Sequence, residues 1–287
     1  MPKKKSQDLA AFEYRDAPEG AGAAASRGRK AFDHARFDPA AKPYSSGDKA
    51  RDKAAVATLA TRLDVLQELL YADRRFKLLV VLQGLDTAGK DGTIRGVFGQ
   101  MSALGVRTVG WKAPTEAERA HDFLWRIHAE VPASGEVVIF NRSHYEDVLV
   151  PVVNGTIDAA ETARRYAEIN AFERLLTASG TVLLKFMLLI SKEEQRLRLQ
   201  ERLDDPTKRW KFVAGDLDVR KHWDDYVRAY GAAVGATGTA WAPWHIVPAD
   251  SKTHRNLMVA TILTRTLEAL DLRYPPGDPA LAKIRVE

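Results

Sequence analysis

Five short apolar runs, separated by longer segments, constrain the fold of this chain more than any other feature. The first run, residues 76–84 (FKLLVVLQG), is almost continuously apolar and ends in glycine, which is typical of a strand buried on both faces of a parallel sheet. The four others are residues 106–111, 136–140, 181–190 and 244–249. Because helix-length segments separate most of these runs, the pattern predicts one doubly wound α/β domain with right-handed crossovers.

The segments outside these runs give the predicted domain boundaries. Residues 1–46 are rich in Ala, Gly, Lys and Asp and show no sustained period, so we expect an N-terminal arm with local turns. One domain is predicted over residues 47–273, followed by a tail over residues 274–287.

Apolar residues at helical spacing predict several helices. The first has Ser46 or Asp48 as its candidate N-cap and ends near Ala72. The others cover residues 192–203, 218–233 and 251–270. The polar, basic segment at about residues 202–217 would form a lid over the carboxyl edge of the sheet; its plainer interpretation is a surface turn.

Composition excludes several classes of protein. The chain has no cysteine, so it contains no disulfide, thiolate metal site or cysteine nucleophile. We find no run of the roughly 18–20 apolar residues that crosses a bilayer, and no apolar signal segment at the start, so we expect a cytoplasmic protein without membrane contact. Residues 1–53 hold 12 basic and 8 acidic residues, which is most of the net charge of +5, and a basic arm argues against binding of long nucleic acids.

A glycine loop follows the first predicted strand directly. Residues 84–92 (GLDTAGKDG) match G-x-x-x-x-G-K at Gly84, Gly89 and Lys90, and a helix to about Ser102 should follow. Glycines let backbone N–H groups surround a phosphate, and a lysine adds a positive charge. The loop therefore predicts a phosphate site, against the alternative of a glycine turn with an incidental lysine.

Two carboxylates lie within this loop. Asp91 stands where Ser or Thr usually binds Mg²⁺, and Asp86 lies between the two glycines. Carboxylates beside a polyanion are favourable when Mg²⁺ lies between them, so we predict Mg²⁺, with Mn²⁺ as the alternative metal, at Asp86 and Asp91. For Asp91 the alternative is a carboxylate that stabilises the N-terminus of the helix.

The third predicted strand ends without the aspartate that most phosphate-loop enzymes carry there. It leads instead into Asn141 and Arg142, followed by His144, Glu146 and Asp147. Arg142 suits bidentate phosphate binding, and Glu146 or Asp147 could complete a metal site or contact the acceptor. His144 could serve in the site as a phosphate donor or base, and the alternative is a structural hydrogen bond.

The residues after the second strand bear on the acceptor. Trp111, Lys112, Ala113 and Pro114 stand where a carboxylate would deprotonate a hydroxyl acceptor, whereas a phosphate acceptor is already ionised and needs no base. The sequence therefore favours transfer from phosphate to phosphate. The NKxD motif of GTPases is absent.

Six motifs taken together resemble the polyphosphate kinase 2 family. They are GLDTAGKDG (84–92), KAPTEAERAHDFLWR (112–126), FNRSHYEDVLV (140–150), KFMLLISKEEQ (185–195), ERLDDPTKRWKF (201–212) and APWHIVPADSK (242–252). The resemblance spans about residues 44–270 and implies a phosphate-loop kinase fold similar to thymidylate kinase, a parallel sheet flanked by helices, with a helical lid. It also implies reversible, Mg²⁺-dependent transfer between inorganic polyphosphate and nucleotides by a homo-oligomer, commonly a tetramer.

Residues 141–147 (NRSHYED) are the part of the chain that bears on the acceptor class. They stand where family members specific for nucleoside diphosphates carry an Asp-Arg pair and then Ser-Trp-Tyr. They resemble the class that accepts both mono- and diphosphates, which implies the sequence AMP to ADP to ATP. Adenine nucleotides are therefore the expected substrates, with guanine nucleotides left open.

We assign candidate roles as follows, for in-line transfer without a covalent enzyme intermediate. The catalytic candidates are Asp86, Lys90, Arg142, Arg202 and Arg209. The phosphate- or nucleotide-binding candidates are Gly84, Thr87, Ala88, Gly89, Lys90, Asp91, Gly92, Arg95, Asn141, Arg142, Glu146, Lys208 and Lys211. The lid cations could equally be solvated, and Trp111 and Phe123 are either base-stacking walls or core.

Two other functions remain open, an ATP-dependent nucleoside monophosphate kinase and a non-catalytic polyanion-binding module.

Overall fold

A six-stranded sheet lies at the centre of the molecule. The computed structural model describes residues 12–15 and 32–286. The strands are β1 (Glu13–Tyr14), β2 (Lys77–Gln83), β3 (Val106–Gly110), β4 (Val137–Asn141), β5 (Thr181–Leu189) and β6 (Trp244–Pro248). Their order is β1-β6-β5-β2-β4-β3, and all neighbours are parallel except β1 and β6. The predicted parallel sheet is confirmed, with a short antiparallel strand added at one edge.

Helices flank the sheet. The α-helices of the described residues are α1 (Lys49–Asp73), α2 (Lys90–Thr93), α3 (Glu116–Arg119), α4 (Trp125–His128), α5 (Glu146–Val153), α6 (Ala159–Ala178), α7 (Lys192–Asp204), α8 (Gly215–Lys221), α9 (Trp223–Thr237) and α10 (Lys252–Ala269). Among the described residues, no helix is both long and apolar enough to cross a bilayer.

Two predicted helices differ from the structure. The helix after β2 is α-helical only to Thr93 and continues as a π-helical turn at Ile94–Phe98. The helix predicted over residues 218–233 is two helices, α8 and α9, which break at His222. In both cases the hydrophobic period alone could not show the change in backbone geometry.

The start of α1 distinguishes the two candidate caps. The Asp48 side chain accepts hydrogen bonds from the backbone N–H groups of Ala50 and Arg51, at 2.7 and 3.0 Å. Ser46 instead donates its hydroxyl to Asp52, at 2.7 Å. Asp48 is therefore the N-cap, and Ser46 fixes the turn that precedes it.

The register of the central strands determines where the site lies. Leu82 of β2 is opposite Asn141 of β4, and Gln83 of β2 is opposite Met187 of β5. The loops that follow β2 and β4 therefore leave the sheet side by side at its carboxyl edge, where α/β sheets bind ligands.

The described parts of the predicted arm pack against the body. Tyr14 of β1 pairs with Trp244 of β6, and the buried Phe32 donates its backbone N–H to the carbonyl of Gly231 at 2.9 Å. The rings of Tyr14 and Phe32 meet edge to face, with centroids 5.4 Å apart. The sequence did not predict β1, because two residues are too few to show a period. Residues 1–11 and 16–31 of the arm lie outside the described residues.

A fully buried ion pair joins α6 to β5. Lys185 of β5 donates to Glu173 of α6 at 2.7 Å and to the hydroxyl of Tyr145 at 3.0 Å. Nε2 of the buried His144 lies 3.2 Å from the same Glu173 carboxylate. His144 thus makes the structural hydrogen bond that the sequence left open. Burial lowers the pKa of Lys185, and Glu173 opposes that effect.

Removal of both partners of this pair should cost less than the sum of the two single removals. Lys185→Met leaves the Glu173 carboxylate buried without its cation, and we expect a loss of about 3–5 kcal/mol in the free energy of unfolding. In Lys185→Met/Glu173→Gln neither charge remains, so the loss should be smaller than the sum of the two single losses. Urea unfolding of Lys185→Met, Glu173→Gln and the double variant measures this, and additive losses would show that the charges do not depend on each other.

Candidate active site

The loop after β2 has a conformation that its glycines make available. The φ angles of Gly84 and Gly89 are 150° and 103°, in the region that L-residues rarely adopt. A Cβ on Gly89 would lie 1.9 Å from Nη1 of Arg255, and one on Gly84 would lie 2.6 Å from the carbonyl oxygen of Leu188. The two glycines of the motif are therefore required both by backbone angle and by close packing.

Two buried arginines hold this loop from beneath. Arg198 of α7 donates to the carbonyls of Thr87 and Ala249, at 2.9 and 2.8 Å. Arg255 of α10 donates to the carbonyl of Ala88 at 3.3 Å. Because the N–H of a trans peptide points opposite to its carbonyl, the N–H that follows the Ala88 carbonyl faces away from the arginines.

Arg255 also places positive charge beneath the loop, whereas Arg198 pairs with the carboxylate of Glu194 at 2.8 Å. Burial, with a smaller effect from Arg198, lowers the pKa of Arg255 to about 10, so Arg255 remains protonated at neutral pH. The sequence reasoning missed both residues, because an arginine in a helix normally indicates a solvated face and neither position carries another local signal.

Lys90 is buried against its own loop. Its Nζ donates to the carbonyl of Gly84 at 2.6 Å and approaches that of Leu85 at 3.4 Å. Burial lowers the pKa of Lys90, and the nearby Asp86 partly offsets this effect. A phosphate in the loop would provide a counter-charge for this desolvated ammonium group.

Arg142 joins the loop to the residues that follow β4. It donates to Asp86 at 2.9 Å and to Glu146 at 3.3 Å, and Gln83 donates to the same Glu146 side chain at 3.2 Å. Although burial acts to lower the pKa of Arg142, Glu146 and Asp86 outweigh it and raise the pKa. The predicted residues Asp86, Arg142 and Glu146 therefore form one contiguous group.

Asn141 positions the second carboxylate of the loop. Its side-chain amide donates to Asp91 at 2.8 Å, and Nζ of Lys211 lies 3.8 Å from the other Asp91 oxygen. Asn141 is the last residue of β4, where most phosphate-loop enzymes carry a metal-anchoring aspartate. The structure thus shows an amide that orients Asp91.

The carboxylates fit a metal that also binds substrate. Asp86 binds Arg142 through Oδ1, and the Asp91 side chain is 63% exposed. Within the described part of the chain, no three carboxylates or imidazoles are arranged to hold a metal by themselves. Mg²⁺ commonly takes one or two carboxylates and completes its shell with phosphate oxygens and water, so Asp86 and Asp91 are compatible with it.

The cations of the lid differ in what they contact. Arg202 binds the carbonyl of Lys211 and the carboxylate of Asp216, at 3.2 and 3.4 Å. Lys208 pairs with Glu201 at 2.7 Å, and Arg209 donates to the carbonyl of Leu203 at 2.7 Å. In this conformation Lys208 and Arg209 stabilise the lid itself. Lys211 is the lid cation that approaches the loop, through Asp91.

Other predicted residues lie within or near the loop. Arg95 is exposed on the π-helical turn that follows α2. The Thr87 hydroxyl is buried and has no hydrogen-bond partner among the described residues, which suits a phosphate oxygen as its partner. Trp111 belongs to the core, where its ring packs edge to face on Phe140.

Two groups in the site lie far along the chain from the loop. Burial, and then the proximity of Asp86, raises the pKa of Asp216 in α8. Burial, and then Glu146, raises the pKa of Tyr230 in α9 well above its ordinary value. The sequence reasoning did not select them, because only the folded chain brings α8 and α9 to this edge.

Comparison with known proteins agrees with this geometry. The family model for polyphosphate kinase 2 matches residues 46–275. The chain belongs to the polyphosphate kinase 2 family. A relative from Meiothermus ruber named AMP/ADP-polyphosphate phosphotransferase is 51% identical over 256 residues, which are 89% of this chain and 96% of the relative. The ADP-polyphosphate phosphotransferase of Rhodopseudomonas palustris is 40% identical over 79% of this chain and 82% of its own length.

A solved structure shows the same family fold. The crystal structure of polyphosphate kinase 2 from Arthrobacter aurescens TC1 superposes with a TM-score of 0.85 at 46% identity, covering 93% of this chain and 97% of that one. The phosphate-loop kinase fold and the family inferred from the motifs are therefore both confirmed.

A methyl group at position 89 should disable the loop. In Gly89→Ala the new Cβ would displace the Arg255 guanidinium and strain the backbone, so we expect nucleotide affinity, measured by calorimetry, to fall by about tenfold or more. Gly277→Ala is the matched control, because a Cβ there meets no atom within 4 Å. Unchanged affinity in Gly89→Ala would show that the packing of Arg255 on the loop is unimportant.

Proposed function

We propose that this protein transfers a phosphoryl group reversibly between inorganic polyphosphate and adenine nucleotides, forming ADP from AMP and ATP from ADP. The observation that carries the proposal is the near full-length similarity to the AMP/ADP-polyphosphate phosphotransferase of M. ruber. The paired charges around the phosphate loop support it, because they suit two polyanionic substrates.

The loop supplies the groups that would hold the transferring phosphoryl group. The hydrogen-bond donors of the loop are Lys90, the Thr87 hydroxyl and the backbone N–H groups, and none of them carries a negative charge. Arg142 would release Asp86 and donate to phosphate oxygens. Fixed donors of this kind stabilise charge on the transferring group and align it with the attacking oxygen.

The acceptor needs no general base in this scheme. The first carboxylate after β3 is Glu116, at the start of α3, beyond Trp111, Lys112 and Pro114. A nucleotide phosphate is ionised at neutral pH and can attack without losing a proton. Direct in-line transfer is therefore sufficient, and no covalent enzyme intermediate is required.

Mg²⁺ is the metal that we propose for this site. Asp86 and Asp91 would hold it. When bound, Mg²⁺ would neutralise negative charge on the phosphate groups. In the protein itself, Asn141 keeps Asp91 oriented and Arg142 keeps Asp86 in place until substrate binds. Mn²⁺ is the alternative metal.

Other parts of the proposal rest on the family resemblance. They are assembly into a homo-oligomer, with a tetramer as the expected size, and use of guanine nucleotides as an alternative. A cytoplasmic location is proposed from the sequence alone. Lys208 and Arg209 would serve a polyphosphate chain if the lid closed further, since both lie in the segment at residues 202–217. We assign no nucleic acid partner.

The function is tested by formation of ATP without added ATP. With polyphosphate and Mg²⁺, both ADP and AMP should give ATP that luciferase detects, with ADP appearing first when AMP is supplied. If neither acceptor gives ATP, while ATP plus a nucleoside monophosphate gives two diphosphates, the protein is an ATP-dependent nucleotide kinase instead.

Two loop variants test the assigned residues. Lys90→Ala and Asp86→Ala should each lower the rate by about 10²–10³-fold, because Lys90→Ala removes a cation that acts on the transferring group and Asp86→Ala removes a proposed ligand of Mg²⁺. Their thermal unfolding should stay close to that of the parent protein. Lys221→Ala, which removes an exposed lysine paired with Asp218, is the control and should keep its rate. Near-parental turnover in either loop variant would exclude that residue from the mechanism.

A further inference from the structure

Arg142 has a backbone conformation that is unusual for its residue type. Its φ angle is 66°, in the left-handed region that is unfavourable for a side chain other than glycine. Its backbone N–H donates to the carbonyl of Leu82 at 3.1 Å, and its guanidinium donates to Asp86 and Glu146. Because a strained residue persists only where its surroundings hold it, another part of the fold must fix the chain beside Arg142.

The three residues that follow Arg142 form a buried turn. Ser143, His144 and Tyr145 are each at most 1% exposed. The hydroxyl of Tyr145 donates to a carboxylate oxygen of Glu173 at 2.7 Å, and Nε2 of His144 lies 3.2 Å from the same oxygen. Rotation of the turn would break both contacts, so Glu173 holds the chain on the C-terminal side of Arg142.

Lys185 holds Glu173 in turn. Its Nζ donates to the second carboxylate oxygen of Glu173 at 2.7 Å, to the carbonyl of Thr237 at 2.8 Å and to the hydroxyl of Tyr145 at 3.0 Å. These contacts join α6, β5 and α9 to the turn after β4. A buried ion pair often contributes little to stability, because the loss of hydration offsets the attraction. What this pair supplies is a defined position for the turn.

The side chains that hold the turn cannot bind substrate themselves. We call them the buried cluster; its members are His144, Tyr145, Glu173 and Lys185, each at most 1% exposed. Any effect of the buried cluster on the reaction must therefore pass through residue 142. A small rotation of the backbone would move the Arg142 guanidinium away from the phosphoryl group, and a misplacement of about 1 Å can lower a rate by about 10²-fold.

We propose that the buried cluster consists of positioning residues for phosphoryl transfer. It holds Arg142 in its left-handed conformation, so that the guanidinium meets the phosphoryl group that is transferred. The inference rests on the proposed function, in which Arg142 donates to phosphate oxygens. It gives the buried ion pair a role in the reaction, although neither of its charges reaches the site.

The rate of ATP formation from ADP and polyphosphate tests the proposal in two backgrounds. Tyr145→Phe removes the hydroxyl that links the turn to Glu173, and it should lower kcat by about tenfold in the parent protein. In Arg142→Ala there is no guanidinium to position, so adding Tyr145→Phe should lower kcat by less than about twofold. A hydroxyl with a purely structural role would lower kcat equally in both backgrounds.

Two substitutions of His144 test the second contact with Glu173, and they serve also if Tyr145→Phe fails to fold. His144→Leu removes the contact and should lower kcat by about tenfold. His144→Gln retains an N–H that can reach the carboxylate, so it should recover most of the rate that His144→Leu loses.

Tyr166→Phe is the matched control. Tyr166 lies on α6, as Glu173 does, and its buried hydroxyl has no hydrogen-bond partner within the described ranges. The same chemical change should therefore leave kcat at the parental value. Parental kcat in both Tyr145→Phe and His144→Leu, or an equal loss in the two backgrounds, would overturn the proposal.

A binding measurement separates this proposal from the proposed function. If the parent protein forms no ATP, the proposed function fails, and calorimetry with tripolyphosphate then tests the buried cluster alone. Arg142→Ala and Tyr145→Phe should each weaken tripolyphosphate binding, and the double variant should bind no more weakly than Arg142→Ala. Losses of affinity that add in the double variant would show that Tyr145 does not act through Arg142.

Discussion

Two arginines buried beneath the phosphate loop, Arg198 and Arg255, connect the elements from which the site is built. Arg198 links the loop after β2 with the chain after β6, and it comes from α7, the helix that leads into the lid. Arg255 packs so closely on Gly89 that any side chain there would have to displace its guanidinium group. Its hydrogen bonds go to the neutral oxygens of Ala88 and Asn256, so a phosphate bound in the loop would compensate its charge. Removing Arg198 would leave the carbonyls of Thr87 and Ala249 without this donor, and a buried carbonyl left unpaired costs about 1–3 kcal/mol.

The charges on the open side of the loop are arranged differently. Asp86 pairs with Arg142, and Asp91 faces Lys211, so the surface that meets the substrates is close to neutral. In the proposed reaction, a polyanion would bind there as the arginine and lysine turn toward phosphate and a divalent cation takes their place on the carboxylates. Because these pairs involve partly exposed side chains, each is weak, and exchanging partners costs little. The site is thus built to exchange one set of ion pairs for another.

The sequence predicted those parts of the molecule that have a local signal. The apolar runs located β2 to β6, and the spacing of Gly84, Gly89 and Lys90 located the loop. Arg142 was assigned to the same site as the loop because it follows a strand directly, and α/β sheets bind ligands at the carboxyl ends of their strands. The contributions of Arg198, Arg255 and Asp216 could not be predicted, since their roles come from burial and contacts between distant segments. Lys208 and Arg209 show the opposite case, because their positive charge was evident in the sequence and their pairing within the lid was not.

The proposed mechanism depends on a charge balance in which Mg²⁺ would replace the cations paired with Asp86 and Asp91. The most direct test is calorimetric titration of ADP into the protein at increasing Mg²⁺ concentration, with the parent chain and with Asp86→Asn/Asp91→Asn. We expect Mg²⁺ to strengthen ADP binding to the parent protein and to have little effect on ADP binding to the double variant. The same dependence on Mg²⁺ in both proteins would contradict it, because the metal would then bind without these two carboxylates.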